Sequence, residues 1–202
     1  QESDLVLEDT YETHVVQHMP METHTYTGEY DTHSGRLTIC TSTQGVHNIR
    51  ILLGKILSMP LTRIRVIKPF TGGSFGGKND LFDEIIVALM AMETRSPVRL
   101  SLTRWEEFVG TRTRHANRFY LKLGFKSDGL LHARDLRAYL NAGGYSASSP
   151  KVAMTTGHRW MMSYRTPHVR YEGIASYTNF PVAGAFRGFG TPQQTFAMEL
   201  LM

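Results

Sequence analysis

The ten residues Thr71–Asp80, TGGSFGGKND, carry the densest chemistry in the chain. Gly72, Gly73, Gly76 and Gly77 fall within six residues, with Ser74 and Phe75 between the pairs and Lys78 after them. Glycine tolerates positive φ and lets a ligand come close to the main chain. A strand, a glycine-rich turn and a helix start in succession aim several N–H groups at one point, which suits an anion such as phosphate. Gly72, four residues, then Gly77-Lys78 also fits the phosphate loop of nucleotide-binding proteins. That motif continues with Ser or Thr to hold Mg²⁺, whereas this chain continues with Asn79.

A second glycine loop lies at Gly184–Gly190, GAFRGFG, followed by Thr191-Pro192-Gln193-Gln194. Thr191 is placed to cap a helix with Pro192 at its first position. Two loops of this kind in one chain suggest two walls of one ligand pocket. Gln193 and Gln194 are expected on the helix exterior or bracing the loop. His14, His18 and His24 with Glu22 form a further ligand-type cluster, but their spacing does not match a zinc pattern and Pro20 interrupts any helix through them. Cys40, in the apolar run Leu37–Thr41, reads as a core thiol. Arg112, Arg114 and Arg118 read as a solvated face.

The elements that must position these loops follow from hydrophobic period and turn chemistry. Thr25–Asp31 and Arg36–Ser42 read as strands joined by a turn at Asp31–Gly35. Val46, Ile49, Leu53 and Ile56 mark an amphipathic helix that stops at Ser58-Met59-Pro60. With a strand at Arg63–Phe70, these residues form a strand–helix–strand unit. Leu81–Thr94 is apolar on nearly every face and predicts a helix buried on most sides. Val98–Thr103 reads as a strand and Trp105–Val109 as a short helix. Arg118–Lys126 and Leu130–Leu140, around Ser127-Asp128-Gly129, read as a β-hairpin. A helix over Val152–Tyr164, a strand over Arg170–Thr178 and a helix over Thr195–Met202 complete the chain. The expected fold is α/β with α+β character: a mixed sheet with packed helices plus an antiparallel hairpin region. The expected division is residues 1–100, with the first glycine loop, and 101–202, with the hairpin and the second.

GGSFGGK at Gly72–Lys78 and AFRGFGTPQ at Ala185–Gln193 resemble the molybdenum-binding subunit of the xanthine dehydrogenase/aldehyde oxidase family. QHMPMETH at Gln17–His24 and TSTQ at Thr41–Gln44 also fit that family, so the resemblance runs from about Tyr11 to Met202. It implies a molybdenum–pterin cofactor, in the cytosine dinucleotide form, contacted by Gly72, Gly73, Ser74, Phe75, Gly76 and Arg187, with no protein ligand directly on the metal. It also implies substrate contacts from Phe75, Asn79 and Phe189. The implied reaction hydroxylates an aromatic N-heterocycle (purine- or nicotinate-like) or an aldehyde with oxygen from water, and electrons leave through 2Fe-2S centres to FAD on partner subunits or domains. The family's base glutamate and most contacts to the nucleotide tail belong to a later domain, so the chain reads as a catalytically incomplete piece of a larger subunit.

Departures from the family pattern narrow the substrate. Asn79 stands where xanthine-oxidising members carry a purine-binding glutamate. The glutamine near the metal falls at Val16, with Gln17 adjacent, and the substrate arginine falls near Thr155, with Arg159 one helical turn away. AFRGFG has no cysteine, unlike the carbon monoxide dehydrogenase branch. The rival readings are a nucleotide-binding protein built on Gly72–Lys78 and a non-catalytic interaction domain.

Composition agrees with a globular protein: 202 residues, 41% hydrophobic, 20% charged, net charge +4. The basic residues are scattered, which argues against nucleic acid, and no apolar run approaches membrane-spanning length. Gln1–Asp9 is unlike a signal peptide, and one cysteine fits a reducing, cytoplasmic compartment.

Overall fold

The computed structural model describes residues 2–202, and the chain falls into two compact units. One is His18–Thr111; the other joins the residues up to Gln17 with Arg112–Met202. The division expected at residue 100 lies within the last strand of the first of these units.

The 18–111 unit is built on a four-stranded mixed sheet of β3 (Thr25–Asp31), β4 (Arg36–Thr41), β5 (Ile64–Ile67) and β6 (Val98–Ser101), in the order β5-β4-β3-β6. β3 and β4 form the expected antiparallel pair, and Gly35 N–H donates to Asp31 O at the turn. β4 and β5 are parallel, joined through α1 (Val46–Ile56), so the strand–helix–strand reading holds. Ile49 and Leu53, four apart on one face of α1, bury against Leu37, Ile39 and Ile64. Cys40 alternates with Ile39 and is half-buried on the opposite sheet face, so it is not a core thiol.

α2 (Glu84–Thr94) starts later than its apolar run and is less enclosed than expected. It buries Glu84, Val87, Ala88 and Ala91, while Ile86, Leu89 and Met90 are exposed. Small residues and Val made the packed stripe, so bulk hydrophobicity misidentified the buried face. α3 (Arg104–Gly110) opens with a capping box in which Thr103 and Glu106 exchange side-chain and main-chain bonds.

The second unit carries a sheet in the order β1-β8-β9-β10: β1 (Leu5–Thr13), β8 (Asn117–Phe125), β9 (Leu131–Gly143) and β10 (His168–Tyr177). β8 and β9 are the expected hairpin, and β1 extends it as an antiparallel neighbour of β8. β10 runs parallel to β9, and α4 (Ser149–Ser163) makes the crossover. Alternate residues Phe119, Leu121 and Leu123 of β8 and Leu136, Ala138 and Leu140 of β9 bury with Val152 and Trp160 of α4 and with Ala197 and Met198 of α5 (Thr191–Leu201). A two-stranded sheet pairs β2 (Val16–Gln17) with β7 (Thr113–Arg114), and Thr113 also bridges to Ala183. Among the described residues, no helix is long and apolar enough to cross a membrane.

Candidate functional site

In the 18–111 unit, three segments distant in sequence meet at Lys78. Its Nζ donates to Glu22 O and to Glu22 Oε2, both at 2.8 Å, and its side chain is 0% exposed. Glu22 Oε2 also accepts from Gly72 N–H at 2.8 Å, and Glu22 N–H donates to Gly72 O at 3.1 Å. Lys78 O accepts from Gln44 N–H at 2.8 Å and from Thr43 Oγ1 at 3.2 Å. The loop containing Gln17–His24, the TSTQ run and the glycine loop are thus tied together, each through a different atom of one lysine or its partner. A phosphate-loop lysine must be free to reach its ligand; this one is buried and paired. That removes the nucleotide-binding reading.

Between its two anchors the glycine loop is open on its main chain. Gly77 N–H closes a turn onto Ser74 O at 2.8 Å. Among the described residues, the N–H groups of Gly73, Ser74, Phe75 and Gly76 have no partner within the chain. Gly73, Phe75 and Gly76 all have positive φ, at 98°, 51° and 104°. Left-handed backbone at a phenylalanine costs about 1–2 kcal/mol and persists only where its surroundings impose it. A Cβ on Gly77 would sit 3.1 Å from the His18 ring and 3.2 Å from Ser74 O, so the loop packs tightly against the histidine segment. Phe75 is 43% exposed. Asn79 is exposed, with its Oδ1 near Gly45. The expected helix start does not follow directly: residues 79–83 intervene before α2, so no helix N-terminus adjoins this loop.

Several buried polar groups of this unit pair with one another, whereas His24 Nε2 and Ser42 Oγ are buried with no hydrogen-bond partner among the described residues. Glu84 accepts from Thr41 Oγ1 at 2.9 Å and from Phe82 N–H at 2.8 Å, while burial pushes its carboxyl above the usual range. Burial also acts to raise the Glu107 carboxyl, but bonds from the His24 ring and N–H outweigh it and hold it low. His24 is therefore committed to Glu107. Arg104 donates to Pro20 O and Met21 O, which adds two further ties to the segment.

The second glycine loop, in the other unit, repeats the backbone signature. Gly188, Phe189 and Gly190 have φ of 88°, 49° and 93°, again with phenylalanine directly before glycine. Phe189 N–H closes onto Phe186 O at 2.7 Å and Thr191 N–H onto Gly188 O at 3.0 Å. Arg187 N–H has no partner among the described residues; its side chain is exposed, and no carboxylate pairs with it. The loop is held by Arg114, whose guanidinium donates to Arg187 O at 2.7 Å and to Gln193 Oε1 at 3.1 Å and lies 3.9 Å over the Phe186 ring. Arg114 is thus no member of a solvated face. Gln193 and Gln194 are buried, and Gln193 braces the loop through Arg114 and His115 O. Gly190, not Thr191, caps α5, in the left-handed conformation and with no side-chain bond. Phe189 is partly buried against the core, which leaves it less ring surface than Phe75.

Val16 and Gln17 pair with Arg114 and Thr113 on β2, so their side chains face opposite ways. A one-residue shift between them therefore exchanges faces and is not a small adjustment. Thr155 and Arg159 lie one turn apart on α4 and share a face.

A model of the molybdopterin cofactor-binding domain matches residues 1–202. The chain belongs to this family. The molybdopterin-binding domain is 37% identical over 201 residues to a putative xanthine dehydrogenase molybdenum-binding subunit of Escherichia coli, covering 99% of this chain and 27% of that protein. It is 37% identical over 196 residues to the nicotinate dehydrogenase large molybdopterin subunit of Eubacterium barkeri, covering 97% of this chain and 46% of that one. Quinoline 2-oxidoreductase from Pseudomonas putida superposes with a TM-score of 0.92 at 29% identity, covering 99% of this chain and 26% of that chain. The domain therefore spans a quarter to under half of the length of these three relatives. The mixed α/β architecture expected from sequence is that of these molybdenum enzymes.

Sequence reasoning missed Glu22, Thr43 and Arg114 as the residues that hold the loops. A signal for Glu22 was present: an acidic residue in a segment already matched to the family, beside a glycine loop ending in lysine. Arg114 gave none, because its partners lie more than seventy residues away.

Proposed function

We propose that this domain contributes part of the active centre of a molybdenum hydroxylase, holding an anionic molybdenum–pterin group on main-chain N–H donors. The observation that carries the proposal is the row of unengaged N–H groups at Gly73–Gly76, shaped by left-handed backbone at Gly73, Phe75 and Gly76 between the anchors at Gly72 and Lys78. Such donors are rigid dipoles that need no reorganisation when negative charge arrives. The donor set fits the group: it offers hydrogen bonds to oxo and phosphate oxygens, and the glycines leave room for close approach. In the other unit, the unengaged Arg187 N–H is a second donor of the kind such a group takes. When bound, the molybdenum–pterin group supplies two-electron oxidation with oxygen taken from water.

The remaining roles concern substrate. The Phe75 ring offers a face for a flat aromatic molecule, and in the other unit the Phe189 ring offers a smaller one. The exposed amide of Asn79 is a neutral hydrogen-bonding group where a glutamate would favour a purine. An aromatic N-heterocycle or an aldehyde is the substrate class, in keeping with the nicotinate, quinoline and aldehyde named for relatives. The intact protein carries the cytosine dinucleotide form of the cofactor, passes electrons to 2Fe-2S and FAD partners, and works in the cytoplasm.

The test is metal and pterin analysis of the intact protein with turnover on nicotinate, quinoline and benzaldehyde. Molybdenum near one equivalent with hydroxylated product supports the proposal. A folded protein from a molybdenum-replete host that holds neither molybdenum nor pterin refutes it.

A further inference from the structure

The first residues of the described chain are fastened to the β8–β9 turn. Asp4 N–H donates to Phe125 O at 2.8 Å, Ser127 N–H donates to Asp4 Oδ2 at 2.8 Å, and Lys126 Nζ donates to Glu2 O. This brings the Glu2 carboxylate to the starts of β9 and β10, where His132 and His168 stand on neighbouring parallel strands. The two imidazole rings are 4.9 Å apart between centroids and tilted by 72°, and His132 Nε2 is 3.8 Å from Glu2 Oε2. One ligand atom from each of the three residues lies within 4.8 Å of the others. They line a cavity of about 260 Å³ with Ser3 and Ala133. Neither glycine loop contributes to it, and nothing in the proposed hydroxylase chemistry uses it.

We propose that Glu2, His132 and His168 form a binding site for a divalent zinc-type metal ion. Two imidazole nitrogens and one carboxylate oxygen are a common donor set for Zn²⁺, leaving a fourth tetrahedral position for water. A point equidistant from three donors 4.8 Å apart lies about 2.8 Å from each, so reaching bonds of about 2.0–2.2 Å moves each donor by less than about 1 Å. His132 is half-buried and His168 and Glu2 are exposed, so side-chain rotation can make that movement without repacking the core. Lys126, the cation bonded to this segment, is already engaged by the Glu2 carbonyl. A bound ion ties the approach to β1 to β9 and β10, across the end of the sheet, and so stabilises the folded state by mass action. The site is independent of the molybdenum group.

The test is Zn²⁺ titration of the intact, tag-free protein after chelator treatment, followed by calorimetry and metal analysis. The wild type is expected to bind one zinc equivalent that the His132→Asn, His168→Asn double variant lacks, with molybdenum content and circular dichroism unchanged between them. Glu2→Gln is expected to keep the equivalent at roughly tenfold weaker affinity. Equal zinc stoichiometry in wild type and double variant overturns the site, as does no zinc bound by either. Unaltered affinity in Glu2→Gln overturns the three-donor assignment.

Discussion

The Glu22–Lys78 pair makes an asymmetric prediction. Lys78 has a fully buried side chain, whereas that of Glu22 is 30% exposed. Glu22→Gln leaves a dry ammonium with only a neutral amide and a main-chain carbonyl for partners. Breaking a buried pair in this way costs about 3–5 kcal/mol, and the two surviving acceptors place the expectation near the lower figure. Lys78→Met keeps the apolar stem and leaves a carboxylate that still accepts from Gly72 N–H and can rehydrate, so about 1–2 kcal/mol is expected. The double variant, with no buried charge left, should cost about 1–2 kcal/mol less than the sum of the two singles. Urea unfolding of the four proteins gives all three numbers. Lys78→Met costing as much as Glu22→Gln, or strict additivity in the double variant, would refute the clamp.

Three further outcomes follow. His115 is buried beside Arg114, with its Nε2 2.8 Å from Ser149 Oγ, and burial pushes its pKa down to about 4. The unfolded chain therefore takes up this proton first; stability is intact above about pH 6.5 and should fall by on the order of 3 kcal/mol as pH drops to about 4, a loss that His115→Asn removes from unfolding curves. Arg114→Met removes two charged hydrogen bonds and a ring contact, so exchange protection at the Phe189 and Thr191 amides should drop by roughly thirtyfold or more, read by hydrogen exchange. Gly190→Ala puts a Cβ 2.2 Å from Thr156 Oγ1 at a φ of 93° and should cost several kcal/mol, about 3 or more; Gly110→Ala meets nothing within 4 Å and should be near neutral by thermal denaturation.

The strands and the hairpin were legible because their period and turns are local. Asp31–Gly35 and Ser127-Asp128-Gly129 carry their own turn chemistry, and Phe119, Leu121 and Leu123 alternate without interruption. The α2 face was not legible, because Ala88 and Ala91 are buried by close approach and not by size. The start of α2 was also misplaced: Leu81 and Phe82 are apolar but precede the helix. In the site, the glycine motifs could be read, since only their residue types permit the backbone they adopt. What holds those motifs in place could not, because Glu22, Thr43 and Arg114 act across dozens of residues through a few side-chain contacts. The left-handed phenylalanine in each loop was invisible for a related reason: sequence gives no sign of a strained φ imposed by tertiary contacts.

The proposed hold of the main-chain N–H groups at Gly73–Gly76 on an anionic molybdenum–pterin group is measured by the molybdenum-to-protein ratio of intact wild type against Gly73→Val, where φ is 98° and a Cβ would press on the Phe75 ring at 3.1 Å. With unfolding midpoints matched to within a degree or so, the ratio is expected near one for wild type and at least about tenfold lower for the variant. Equal ratios in the two proteins would contradict it.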